Sequence, residues 1–396
     1  MRVLHIITGL GVGGAEQQLR LLLRHLPTSS DVVALTNAGT VARGIEADGH
    51  RVIDLGMAGN RDLAALPRLV RLIRAGRYDV VHTHLYRACL YGRIAARMAG
   101  VRAVVATEHS LGDSQMEGRP LTAGVRALYL AGERLGRVTV AVSPAVGARL
   151  HRWGVPRQRI RVVPNGIEVE RFRFDAAART RTRHQLELPE TAFVVGGVGR
   201  LAPGKRFDVL LRAAAQLPED VVVVLVGSGP QEPELRRLAV RLGLAGRVRF
   251  VGESTHETPG TDTGTDTGSG TCSSTAADRV PDLPSLLSAM DALASPSPEE
   301  AFGLALVEGL ASGLPVLYAS CPAIEGLAPG ERSGAAYCPS DPVSFAQALR
   351  GLRGDVPPHR EAPAAVRHYS ITRSADQLMG VYTSVAPGPT LEVTPR

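Results

Sequence analysis

Short β-branched runs alternate with longer amphipathic stretches along most of this chain. In the first half the runs predict strands over 3–8, 31–36, 51–55, 79–84, 103–109, 138–143 and 160–164. Apolar residues at helical spacing predict helices over 15–25, 63–75, 87–99, 121–135 and 145–152. Strands separated by helices predict an α/β fold with a parallel sheet covered on both faces. The pattern pauses over 168–190, which is rich in charge and shows no strand. It restarts with strands over 193–199, 221–227, 248–252, 292–295, 315–319 and 335–338. Helices fall between them over 206–216, 232–242, 283–289, 304–312 and 343–352. The expected organisation is a first domain over 1–167, a linker over 168–190 and a second domain over 191–373. A helix over 374–385 and a loose tail over 386–396 complete it. Residues 254–277 break the alternation with a low-complexity run of Thr, Asp, Gly and Ser. Too few apolar side chains lie there to order it, so it is expected to be a disordered surface insertion.

The length of 396 residues agrees with two domains of roughly 100–200 residues each. No apolar run approaches the ~18 residues needed to cross a bilayer. The opening strand turns glycine-rich at Gly9, too early for a signal peptide, which predicts a cytoplasmic protein. Cys89, Cys272, Cys321 and Cys338 form no CxxC pair and are read as reduced packing residues. The net charge is +7, yet Lys205 is the only lysine among 45 basic residues. The arginines are scattered, without a basic run interleaved with aromatics, so no nucleic-acid partner is expected. The positive balance suits a phosphate-bearing partner or an anionic membrane face. The arginines over 68–77 fit an ordinary solvated helix face first and a peripheral contact with such a membrane face second.

Three stretches carry candidate chemistry. Gly9, Gly11 and Gly14 fit GxGxxG after the first strand, where glycines let a phosphate approach a helix N-terminus. Alone, this suggests an NAD(P)-dependent oxidoreductase or epimerase. That reading wants an acid at the end of the second strand, and Asn37 stands there instead. The loop is therefore read as facing a phosphate or substrate without being a dinucleotide site. Next, Arg200 and Lys205 follow the first strand of the second domain, at the sheet edge where ligands bind. A guanidinium can grip a diphosphate with two parallel bonds, and an ammonium adds a compact charge. Finally, a helix is expected to begin near Gly303, leaving the amides of Phe302, Gly303 and Leu304 open to a phosphate. Glu300 lies just before it and Glu308 about a turn and a half inside. Two carboxylates flanking one ligand suit paired sugar hydroxyls, which are donors. His82 and His84 share a strand face, but no third ligand lies nearby in sequence, so no metal site is expected.

In this order the motifs resemble family 4 glycosyltransferases, the retaining "glycosyl transferases group 1" type. The residues that carry the resemblance are Gly13 to Glu16, Val162 to Ile167 with Asn165, Gly199 and Arg200 with Lys205, and Glu300 to Glu308 around Phe302, Gly303 and Leu304. The resemblance covers residues 1 to about 383. It implies a GT-B fold, two Rossmann-like domains facing each other across a cleft. By it, Arg200 and Lys205 hold the diphosphate of a nucleotide-sugar donor, Glu308 takes the ribose hydroxyls and Glu300 those of the transferred sugar. The Gly13–Gly14 loop closes over the reacting centre, and His109 stands near the anomeric carbon. His84 and Asn165 lie on the acceptor side, while His82 packs. The implied reaction is metal-independent, with no cofactor, and transfers a sugar to a hydroxyl acceptor with retention. A UDP-hexose or UDP-N-acetylhexosamine is the first expected donor and a GDP-sugar the second. The acceptor is a saccharide, a lipid-linked sugar or a small molecule. A sugar-nucleotide binding protein without catalysis is the remaining alternative. The sequence departs from the family at Ala301, where glycine is common, and at the insertion after Gly252, beside the expected base pocket.

Overall fold

A computed structural model describes residues 1–59, 62–111, 115–116, 119–254, 280–354 and 360–386. The chain divides into two compact units, Met1–Ile167 with Tyr369–Arg396, and Glu168–His368.

In the first unit, strands β1 (Arg2–Ile7), β2 (Ser29–Ala34), β3 (Arg51–Asp54), β4 (Val80–His84) and β5 (Val104–Glu108) enter one sheet. A small antiparallel ladder, β6 (Gln115–Met116) with β7 (Arg119–Pro120), stands outside it. Strands β8 (Val138–Ala141) and β9 (Ile160–Val162) complete the sheet in the order β3-β2-β1-β4-β5-β8-β9. Every pairing in this sheet is parallel. β4 and β5 are buried along their whole length, as strands covered on both faces must be. The helix Ile371–Val385 returns to this unit and buries Ile371, Ala375, Leu378 and Tyr382 in one cluster with Val3, Val80 and Val105. It starts one turn before the expected residue 374, because the Ser370 hydroxyl caps the amide of Arg373. Ile167 and the returning chain bond reciprocally, Ile167 N to Tyr369 O at 2.7 Å and Ile371 N to Ile167 O at 2.9 Å. Gly166 has to be a glycine here, since a Cβ would collide with Ile371.

In the second unit, β10 (Phe193–Val198), β11 (Val221–Val226), β12 (Val248–Gly252), β13 (Ala292–Ser295), β14 (Val316–Tyr318) and β15 (Ala335–Tyr337) run parallel in the order β12-β11-β10-β13-β14-β15. Strand order reverses between β1 and β4 in one sheet and between β10 and β13 in the other. At such switch points the loops leave in opposite directions and open a crevice at the carboxyl ends of the strands.

The segment 168–190 differs from the expected linker. It belongs to the second unit and contains the helix Ala176–Gln185, capped by Asp175 through the amides of Ala177 and Ala178. Its charges are not simply solvated. Arg179 and Arg183 donate to the two oxygens of buried Asp291, at 2.7 and 2.6 Å, and Arg360 adds a third contact at 3.2 Å. Asp291 also accepts from the Val194 amide at the start of β10. Removing this carboxylate strands buried guanidinium charge. Asp291→Ala is expected to destabilise the second unit by about 3–5 kcal/mol, read from its denaturant midpoint.

Residues 255–277 of the expected insertion, 278 and 279 after it, and 387–396 of the tail lie outside the described residues. The flanks of the insertion meet, the Ser254 hydroxyl donating to the Pro281 carbonyl at 2.7 Å.

Candidate active site

The predicted site residues fall into two groups, one in each unit. In the second unit, the loop after β10 carries Arg200 and Lys205, and the loop after β13 carries Glu300. The hydroxyl of Ser297 ties the two loops, lying 3.1 Å from the Gly204 carbonyl and 2.9 Å from that of Glu299. The result is an ion pair, Lys205 Nζ to Glu300 Oε1, at 2.5 Å. Its side chains remain 32% and 14% exposed. Arg200 is exposed on the same loop.

The helix Leu304–Ala311 starts at Gly303, whose φ of 93° lies in the left-handed region. A Cβ on Gly303 would also collide with the Cys321 sulfur, so two constraints select glycine. Burial pushes the Cys321 thiol up to about 12, leaving it a neutral packing group. Phe302 is buried, so its ring builds the core and only its backbone is available to a ligand. Leu304 is half-buried at the first turn. Glu308 is only 4% exposed on this helix.

In the first unit, Gly13 caps the helix Gly14–His25 in an extended conformation. The preceding loop is fastened to the exit of β2, Leu10 N bonding to Asn37 O at 2.8 Å. The Asn37 side chain accepts from the Gly39 amide, so the residue that replaces a dinucleotide fold's acid serves the backbone. Asn165 is half-buried in the turn before Gly166.

His84, the last residue of β4, and His109, just beyond β5, are 3.1 Å apart, Nδ1 to Nε2. His84, expected on the acceptor side, is fully buried. The residue that sequence reasoning missed is His5. It sits in register with His82 across β1 and β4, and its Nδ1 is 3.2 Å from His84 Nε2. Alternation in β1 places Val3, His5 and Ile7 on one face, but only the β1–β4 pairing reveals what His5 meets. His82 bonds to Tyr382 Oη at 2.6 Å and to Thr107 Oγ1 at 2.7 Å. Burial depresses all four imidazoles: His5 to about 3, His109 to about 4, and His82 and His84 well below the usual value. Neighbouring imidazoles add to the effect at His82 and His84, and His50 adds to it at His5. His5 supplies the third nitrogen that sequence proximity did not, within 4.8 Å of those of His82 and His84. Yet both nitrogens of His82 and of His84 are committed to hydrogen bonds, which makes this a bonded chain rather than a convergent ligand set. Beside it, Glu108 accepts from Tyr129 at 2.8 Å, and the Arg93 guanidinium lies over that ring, anchoring the end of β5.

Residues 12–171 match the family described as Glycosyltransferase Family 4, and residues 178–260 and 270–355 match Glycosyl transferases group 1. The chain belongs to glycosyltransferase family 4. A D-inositol 3-phosphate glycosyltransferase of Salinispora tropica is 31% identical to this family 4 chain over 78% of it and 64% of that protein. The chain thus spans less than two thirds of that relative. A D-inositol 3-phosphate glycosyltransferase of Thermomonospora curvata is also 31% identical, over 78% of this chain and 72% of its own length. Among solved structures, Anabaena HepE in complex with UDP-glucose superposes with a TM-score of 0.81 at 22% identity, covering 97% of this chain and 100% of that one. Its likeness establishes the α/β, two-domain GT-B fold.

Proposed function

We propose that this chain is a retaining glycosyltransferase, moving a sugar from a nucleotide-diphosphate sugar to a hydroxyl acceptor. The observation that carries this reading is the Lys205–Glu300 pair, held at the β10/β13 switch point beside the helix that bears Glu308. A cation for a diphosphate and a carboxylate for sugar hydroxyls stand side by side, as one ligand carrying both would require.

In this reading Arg200, Lys205 and the amides of Phe302, Gly303 and Leu304 hold the diphosphate. Glu308 accepts from the ribose hydroxyls and Glu300 from those of the transferred sugar. The bond from the anomeric carbon to the phosphate oxygen breaks, and the positive groups stabilise the departing charge. The acceptor oxygen bonds to the anomeric carbon on the same face, and its proton passes to the leaving phosphate oxygen. With the cations supplied by side chains, no step needs a metal or another cofactor. His109 contacts the transferred sugar, Gly13 and Gly14 close on the reacting centre, and His84 and Asn165 support the acceptor side.

The UDP-glucose bound to HepE favours a UDP-sugar as the first donor, with a GDP-sugar second. The named relatives favour a phosphorylated polyol, inositol 3-phosphate, as the first acceptor. Among the described residues no helix is long and apolar enough to cross a membrane. The helix Ala65–Gly76 exposes Arg68, Arg71 and Arg74, which supports a cytoplasmic protein with a peripheral contact to an anionic surface.

A panel of UDP- and GDP-sugars, each with and without inositol 3-phosphate and with a chelator present, tests this directly. Acceptor-dependent release of one nucleotide is expected, with the donor's anomeric configuration kept in the product by NMR. An inverted product, or release only with added metal, overturns the mechanism. Turnover of a nicotinamide cofactor instead overturns the function.

A further inference from the structure

Three imidazoles stand in single file from the middle of β1 to the carboxyl edge of β5. His5 Nδ1 meets His84 Nε2 at 3.2 Å, and His84 Nδ1 meets His109 Nε2 at 3.1 Å. All three rings are buried. The two terminal nitrogens, His5 Nε2 and His109 Nδ1, have no partner among the described residues. His82 lies beside the file but not in it, since Tyr382 and Thr107 occupy its nitrogens.

Burial keeps these rings neutral near physiological pH, and a neutral imidazole has one N–H and one lone pair. Each link needs one donor and one acceptor, so the protons must all point the same way along the file. Only two arrangements satisfy both links. Pointing outward, His5 donates to His84, His84 donates to His109, and His109 Nδ1 carries a proton. Pointing inward, His109 donates to His84, His84 donates to His5, and His5 Nε2 carries a proton inside the sheet. The inward arrangement leaves a buried N–H with nothing to receive it, the rarer kind of unsatisfied group. The outward one leaves a bare lone pair at His5 and moves the unmatched N–H, equally buried, to His109 Nδ1 just beyond β5 at the sheet's carboxyl edge, where a bound ligand can take it up.

We propose that His5 is a positioning residue that polarises this file outward, so that His109 presents an Nδ1–H donor to an oxygen of the transferred sugar. The proposal rests on the glycosyl-transfer reading for the identity of the acceptor oxygen. The direction of the protons stands apart from that reading and can be measured without turnover. The file lets a residue inside the sheet decide whether His109 offers a donor or a lone pair. A His109 that offered a lone pair would instead seek a sugar hydroxyl proton.

Long-range proton–nitrogen NMR of histidine-labelled protein, at neutral pH, distinguishes the two tautomers of each ring. Individual substitutions assign the signals. His84 and His109 are both expected as Nδ1–H tautomers, and an Nε2–H form at either one overturns the proposal. Two variants add a kinetic readout. His5→Leu removes the donor, while His5→Asn puts an amide N–H close to the place of Nδ1–H. His5→Leu is expected to lower kcat roughly tenfold, the worth of about one hydrogen bond, with little change in donor KM. His5→Asn should recover most of the loss. A folded His5→Leu protein that keeps both the wild-type kcat and the His109 tautomer also overturns the proposal. If His5→Leu fails to fold, the wild-type tautomers alone decide. If no nucleotide sugar is turned over by the wild type, the glycosyl-transfer reading fails, and the tautomers still report the direction of the file.

Discussion

Acidification from about pH 7 to about pH 5 is expected to unfold the first unit while the second remains folded. The cause is the histidine cluster. In the unfolded chain each imidazole takes a proton near pH 6.5, its ordinary value. In the folded unit His5 resists down to about 3 and His109 to about 4, with His82 and His84 also well below the ordinary value. Between these limits the unfolded state binds more protons than the native one, so stability falls as pH falls. The stabilisation is whole above pH 6.5 and drains away toward the folded values. Each ring that stays neutral costs about 1.4 kcal/mol per pH unit, so His5 and His109 alone cost about 3 kcal/mol per unit, and His82 and His84 act in the same direction. Against a domain stability of about 5–15 kcal/mol, that exhausts the reserve near pH 5. The described histidines of the second unit, His184 and His368, are exposed. Trp153, the only tryptophan, belongs to the first unit and packs edge-on against Tyr129 at 5.6 Å. Its fluorescence therefore reports that unit alone. An unchanged signal down to about pH 4 would show that the imidazoles titrate in the folded state.

Lys205→Ala is expected to lower kcat/KM by about 10²–10³-fold, the usual cost of deleting one group that meets developing charge. The partner substitution should behave differently. Lys205 is held by Glu300 at 2.5 Å, so on the proposed reading the carboxylate competes with a diphosphate for the same ammonium. Glu300→Gln removes that competition together with the carboxylate proposed to take the sugar hydroxyls. Turnover should drop, while a free nucleoside diphosphate binds as tightly as before or more tightly. Calorimetry with UDP measures the binding and a coupled nucleotide-release assay the turnover. Weaker UDP binding in Glu300→Gln would mean that the pair itself, rather than Lys205 alone, forms the phosphate site.

Much of the fold was legible because parallel strands buried on both faces are nearly continuous apolar runs. Residues 221–226, all Val and Leu, are the plainest case. The helix Gly39–Ala47 was missed because it is short and is set up by Asn37 and Gly39, a local turn device rather than an apolar period. The helix Ala176–Gln185 was missed because it has little amphipathic contrast, and its arginines look solvated until Asp291, over a hundred residues later, is placed beside them. The same limit applies to the sites. Glu300 and Glu308 share one local motif, so their relation could be read along the chain. That Lys205 and Glu300 touch depends on β10 lying next to β13. His5 looks like any polar residue in a strand until β1 is laid beside β4.

The first unit is built from both ends of the described chain, Met1–Ile167 and the stretch from Tyr369, with the second unit wholly between them. This fixes an order of events during synthesis. The ribosome releases every part of the second unit before it releases Tyr382, which is buried against His82. Until then the β1–β4–β5 face lacks the helix that covers Val3, Val80 and Val105. The unit that emerges first is thus the last to be completed, and it must keep an apolar sheet face from sticking to other chains while its neighbour folds.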